Sequence, residues 1–157
     1  MMPLHSAVPV SAPGRRGPLG RPDLAYADTN LFVALLVGSS HPLHDQALGV
    51  FRRVADGQLG LIVTPIVVAE LVYVARSLLG WTRQVAAQRL GPLLEADGLV
   101  LTERPVLARA LRLYGERSRL DFADAYLAAL ALEVGPPAVA SFDADLDIVE
   151  GIRRISA

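Results

Sequence analysis

Residues 59–80 read Leu-Gly-Leu-Ile-Val-Thr-Pro-Ile-Val-Val-Ala-Glu-Leu-Val-Tyr-Val-Ala-Arg-Ser-Leu-Leu-Gly, one strand followed by one helix. Leu59–Val63 is an apolar run of strand length. Thr64 and Pro65 make a good cap and first position for a helix to about Leu79, and Gly80 ends it. The stretch from Leu61 to Ala75 is apolar but interrupted by Thr64, Pro65 and Glu70, so it reads as core. No run in the chain approaches the roughly 18 apolar residues that a bilayer span needs.

Working outward, the same alternation repeats. Toward the N-terminus, Leu24–Ala27 reads as a short buried strand ending at Asp28. Leu31–Val37 is helical and stopped by Gly38. Ser39–Pro42 is a turn, with Pro42 suited to a first helical position. The helix after it runs through Asp56, with Ala47, Leu48, Phe51 and Val54 facing inward. Toward the C-terminus, Thr82 starts a helix to about Ala96, and Leu99–Leu101 is a third strand. Thr102 caps a helix from Glu103 to about Arg117. Asp121 opens another to Val134, closed by Gly135-Pro136-Pro137. Val139-Ala140 is a fourth strand leading into Ser141-Phe142-Asp143, and Ile152–Ile155 a fifth. Strands separated by helices or helix pairs imply an α/β fold with a parallel sheet and helices on both faces. In such sheets the working site lies beyond the carboxyl ends of the strands.

Residues 1–23 depart from this pattern. Pro3, Pro9, Pro13, Pro18 and Pro22, with Gly14, Gly17 and Gly20, cannot sustain a helix or a central strand. They predict a flexible arm, leaving 24–157 as one domain. Arg15-Arg16 resembles a twin-arginine export signal, but no apolar stretch of the required length follows. A protein of 157 residues, 52% hydrophobic, has ample core; such chains bury about 68–70% of their unfolded surface. There is no cysteine, which excludes disulfides, thiolate zinc sites and a cysteine nucleophile. All 15 basic residues are arginines, so a Walker A loop and Schiff-base chemistry are excluded. Net charge is −1, so any nucleic acid is held by a local arginine patch rather than a broad basic face.

Chemistry is concentrated in acids. Asp28 follows the first strand and Asp143 the fourth, which places both at one edge of the sheet; each could also serve as an ordinary cap. Glu70 is the only charged residue between Asp56 and Arg76. It lies about six positions into its helix, too deep for a capping box. A lone buried carboxylate costs several kcal/mol unless paired. The choice is between an arginine partner, Arg76 or Arg119, and a metal- or water-binding role. Asp121 and Asp124 share one helix face at a helix start. The macrodipole accounts for Asp121, whereas Ala123, Ala125, Ala128 and Ala129 put Asp124 at a closely packed, buried edge. In the alternating Asp143, Asp145 and Asp147, the second reads as a supporting group and the third as a solvated turn.

Carboxylates converging on one edge would repel one another and resist ionising together. A divalent cation resolves this. The candidate donors are all hard oxygens, and His5, His41 and His44 lie elsewhere, so Mg²⁺ or Mn²⁺ suits them better than zinc. Such an ion lowers the pKa of a bound water and stabilises charge on a phosphodiester, which makes metal-assisted phosphodiester hydrolysis the natural reaction class.

Four stretches, Ala-Asp28-Thr-Asn30-Leu, Val-Val-Ala-Glu70-Leu, Leu-Asp121-Phe-Ala-Asp124-Ala-Tyr-Leu-Ala-Ala and Ser141-Phe-Asp143, in this order, resemble the PIN-domain family, especially VapC-type toxins of type II toxin–antitoxin systems. The resemblance runs from about Leu24 to the C-terminus. It implies a three-layer α/β/α sandwich with a short, mainly parallel central sheet of four or five strands. It further implies a cytoplasmic Mg²⁺- or Mn²⁺-dependent endoribonuclease, a homodimer and a small cognate antitoxin. Asp28, Glu70, Asp124 and Asp143 fall on the family's acidic quartet, with Asp28, Asp124 and Asp143 as metal ligands. Asn30 and Ser141 fall where small polar residues support the site, and Asp121 and Asp145 are additional acids. Arg117 and Arg119, just before Asp121, are candidates for substrate phosphate. The proline-rich arm matches nothing in the family.

Two other readings compete. One is a PIN-like module that binds RNA or protein without catalysis, which the complete quartet argues against. The other is an aspartyl-phosphate phosphotransfer domain with Asp28 as nucleophile. Asn30 stands where such phosphatases usually need a second aspartate, and the lysine that those domains usually use is missing.

Overall fold

The computed structural model describes residues 20–156; most of the expected arm, residues 1–19, and Ala157 lie outside them. The strand β1, Asp23–Tyr26, is followed by helices α1, Thr29–Val37, and α2, His44–Ala55. Then come β2, Leu59–Val63, α3, Pro65–Ser77, and α4, Arg83–Leu94. β3, Leu99–Leu101, leads to α5, Arg104–Glu116, and α6, Phe122–Glu133. β4, Ala138–Ala140, a 3₁₀ turn over Ala144–Ile148, and β5, Arg153–Ile155, complete the described chain. All strand pairs are parallel. β1, β2 and β3 hydrogen-bond in that order, and β4 pairs with β5 as a separate ladder.

β2 explains the architecture. Every residue from Leu59 to Val63 is buried, so both faces of this strand are covered. That is the environment of a central parallel strand between helical layers, and it gives the α/β/α arrangement. Leu71, Leu90, Leu94, Leu107, Leu120, Val63 and Val68 are fully buried, and Phe32 meets Phe51 edge-on at 5.5 Å. Each such side chain contributes about 1.5–3 kcal/mol through burial. β1 departs from expectation: its four residues are exposed, and only the following Ala27 is buried. An apolar tetrapeptide does not disclose how many neighbours its strand will have, and among the described residues β1 has one, β2. Leu24 packs across bare Gly60, where a Cβ would sit 2.7 Å from its Cδ2.

Helix boundaries show which local signals act. Asp28, Thr82 and Asp121 are N-caps whose side chains accept from Asn30, Val85 and Asp124 backbone N–H groups. Thr64 has the extended backbone of a cap but makes no side-chain cap bond. Glu103, not Thr102, precedes α5, and α2 starts at His44, two residues beyond Pro42. α3 stops at Ser77 and not at Leu79.

Candidate active site

The four acids sit on elements that touch in series. Asp28 caps α1, Glu70 lies on α3, Asp124 is in the first turn of α6, and Asp143 follows β4 and caps the 3₁₀ turn. α3 packs against both α1 and α6. The helix carrying Glu70 therefore stands between the helices that carry Asp28 and Asp124.

The first pair of acids is organised by a hydroxyl. Asp28 Oδ1 accepts from the Asn30 N–H at 3.0 Å, which fixes the start of α1. The next residue, Thr29, is buried, and its Oγ1 donates to Glu70 Oε2. This bond ties α1 to α3 across 41 residues of chain. Glu70 thus corrects the sequence reading twice. It is exposed rather than buried, and neither Arg76 nor Arg119 pairs with it. The apolar neighbours that signalled burial, Val67, Val68, Leu71 and Val72, lie on the inner face of α3; Ile66, Glu70 and Tyr73 lie on the outer face. Thr29 gave no sequence signal beyond its place between Asp28 and Asn30.

The second group is a cluster of aspartates. Asp121 Oδ1 accepts from the Asp124 N–H at 3.1 Å. Ala125, Ala128 and Ala129 are fully buried, as the alanine pattern predicts, but Asp124 itself is half-buried and Ala123 exposed. Its carboxyl is held above the ordinary value of 3.8, first by burial, then by the negative charges of Asp121, Asp143 and Asp145. Beyond β4, Ser141 Oγ accepts from the Asp143 N–H at 3.0 Å, and Asp143 Oδ1 accepts from the Asp145 N–H at 2.9 Å. Asn30 is exposed at the start of α1.

Arginines surround this cluster without neutralising its central members. Arg119, with 71% of its side chain exposed, pairs with Asp145 at 2.6 Å. Asp147 lies exposed in the 3₁₀ turn, as its spacing predicts, and pairs there with Arg154. Arg83 donates to the Leu120 carbonyl, and to those of Arg117 at 3.2 Å and Tyr114 at 3.4 Å, while stacking over the Tyr114 ring at 4.5 Å. It fastens the loop that delivers Asp121. Arg117 is exposed, and its side chain makes no bond among the described residues. Among those residues, the salt bridges engage Glu133, Asp145 and Asp147 and none of the four quartet acids.

The candidate donors are carboxylate oxygens only, the ligand type that a hard divalent cation takes, and burial, then the charges of Asp121, Asp143 and Asp145, hold the Asp124 pKa up. As they stand, no three His, Asp or Glu side chains among the described residues are grouped to hold an ion. No helix among them is long and apolar enough to cross a membrane.

Residues 25–152 match the family model described as PIN domain. No curated protein and no solved structure matches the chain significantly.

Proposed function

The chain belongs to the PIN domain family, a nuclease-type fold family whose members generally use divalent metal ions, and on that footing we propose that it is a divalent-metal-dependent endoribonuclease, the toxin of a toxin–antitoxin pair. One observation carries the reading. Asp28, Glu70, Asp124 and Asp143 have no arginine partner among the described residues, although arginines nearby pair with other acids. Around Asp124 the charges of Asp121, Asp143 and Asp145 add up, and such crowding costs free energy that an arginine partner would ordinarily relieve.

Asp28, Asp124 and Asp143 would hold Mg²⁺ or Mn²⁺. A cation bound there supplies charge stabilisation to the phosphodiester and acidifies the attacking water. Glu70 commits Oε2 to Thr29, which leaves Oε1 to orient that water and take its proton. Water adds at phosphorus, the bond to the leaving ribose oxygen breaks, and that oxygen takes a proton from solvent. Asp121 and Asp145 raise the local negative charge, and Ser141 and Asn30 support the turns that carry Asp143 and Asp28. Arg117 and Arg119, shortly before Asp121 in the chain, would meet substrate phosphate. Phe142, 87% exposed between Ser141 and Asp143, offers a face to an unpaired base; such stacking is worth about 1–3 kcal/mol per base.

Cleavage of single-stranded RNA by the purified protein is expected to require Mg²⁺ or Mn²⁺. Asp28→Asn and Asp124→Asn should each lose at least about 100-fold in rate, the scale of removing one charge-stabilising group. Equal cleavage by wild type and both variants would dismiss the mechanism. The homodimer, the small antitoxin and the cytoplasmic location belong to the toxin proposal. Sedimentation as a monomer would remove the dimer from it.

A further inference from the structure

Two acids in the six residues after Ser141 act differently. Asp143 adds its negative charge at Asp124, whereas Asp147 engages Arg154 of β5. The Arg154 guanidinium donates through Nε to Asp147 Oδ1 at 2.8 Å and through Nη2 to Oδ2 at 2.9 Å, a fork-to-fork pair. Its Nη1 donates to the Ser141 carbonyl at 3.2 Å. Only 20% of the Arg154 side chain is exposed. One planar group thereby joins the first residue of the loop to its last helical turn. Between these anchor points lie the two local bonds that set the Asp143 carboxylate: Ser141 Oγ accepting from Asp143 N–H, and Asp143 Oδ1 accepting from Asp145 N–H. The Ser141 N–H is itself held by the Ile155 carbonyl at 3.0 Å.

We propose that Arg154 is a positioning residue for Asp143, and that Asp147 acts through it by fixing the guanidinium plane. An ordinary exposed ion pair contributes little and organises nothing beyond itself. Here the third donor reaches the main chain on the opposite side of the loop, so the pair closes the segment that presents Asp143. Ordering a residue's backbone costs conformational entropy, and a rigid fork offsets part of that cost where a flexible ammonium would not. The consequence for metal affinity rests on the nuclease reading; the positioning itself does not.

The test uses Arg154→Lys and Asp147→Asn in the full chain, with Arg109→Gln, which breaks a salt bridge to Glu133 between α5 and α6, as control. Amide hydrogen exchange is followed by NMR without metal. Both loop variants should speed exchange at Asp143 and Asp145 about 10-fold, with the core amides of Leu71 and Leu107 unchanged and the control silent. Mn²⁺ titration by calorimetry, without RNA, should show affinity about 10- to 100-fold weaker, the usual cost of losing a group that orients a ligand. Exchange unchanged within about twofold in both variants would overturn the proposal. Faster exchange in the variants with no Mn²⁺ binding by wild type would support the positioning and overturn the metal reading.

Discussion

The two halves of the candidate site present carboxylates to solvent by opposite means. Glu70 is bonded by the buried hydroxyl of Thr29, the chain neighbour of Asp28, at the contact between α1 and α3, and among the described residues no arginine pairs with either acid. Asp121, Asp124, Asp143 and Asp145 crowd one another and are framed by Arg83, Arg119 and Arg154, which take main-chain carbonyls or the outer acids as partners. In the first half, packing of two helices and one neutral hydroxyl donor do the positioning. In the second, repulsion is restrained by cations that fix the loops and, among the described residues, form no salt bridge with Asp124 or Asp143. Helix contact can place one acid against another element, but a cluster of four needs its loops fastened from behind.

The difference predicts a ranked set of effects. The largest falls on Asp124. Asp124→Asn should abolish nearly all RNA cleavage yet stabilise the metal-free protein. The fold raises this carboxyl's pKa, so its stability is complete below the ordinary value of 3.8 and is lost as pH rises through the raised value. At pH 7 the variant should therefore melt higher, by about 1–2 °C once solvent screening is allowed for. That advantage should fade as pH is lowered toward 3.8. Saturating Mn²⁺ should reverse the order by stabilising wild type alone. Equal melting at pH 7 without metal would mean that the acids do not repel.

Next is the fastening of the second half. Arg83→Gln removes donors to three carbonyls and the stack on Tyr114. Urea unfolding should show a loss of about 2 kcal/mol, on the scale of hydrogen bonds from a charged group. A loss below about 0.5 kcal/mol would show that the α5–α6 loop holds without it. Thr29→Val tests the first half with a shape-matched residue. It should cost about 1 kcal/mol in urea unfolding and lower kcat, whereas Thr29→Ser should retain both; equal failure of Val and Ser would assign the effect to packing rather than to the hydroxyl. The smallest change is expected for Arg119→Ala. An ion pair this exposed contributes at most about 0.5 kcal/mol to stability, so the variant should melt like wild type while its KM for RNA rises. An unchanged KM would detach Arg119 from the substrate.

Much of this arrangement was legible in one dimension. The alternation of β2 with α3, the caps Asp28, Thr82 and Asp121, and the strand Leu99–Leu101 follow from periodicity and local hydrogen bonding, which act within a few residues. Asp28 and Asp143 stand out in the sequence because acids that follow strands of a parallel sheet are expected at its working edge; in the structure they follow strands of two separate ladders. Glu70 stands out in the sequence for a reason that the structure overturns. Its apolar neighbours imply burial only if the whole helix is enclosed, and α3 has an outer face that carries Ile66, Glu70 and Tyr73. Arg83, Arg154 and Thr29 were missed because their partners, Leu120, Ser141 and Glu70, are 37, 13 and 41 positions away. Nothing in the identity of an arginine tells which carbonyl it will meet.

By itself the sequence determined the order and kind of elements, the absence of thiol and lysine chemistry, and the supply of hard oxygen donors, since these depend on composition and on interactions between near neighbours. Tertiary structure alone decided that β2 is enclosed while β1 is exposed, that Glu70 is held by Thr29, and which acids keep their charge unpaired. Burial and electrostatic pairing are set by distances between residues remote along the chain, and only the packed molecule fixes those distances.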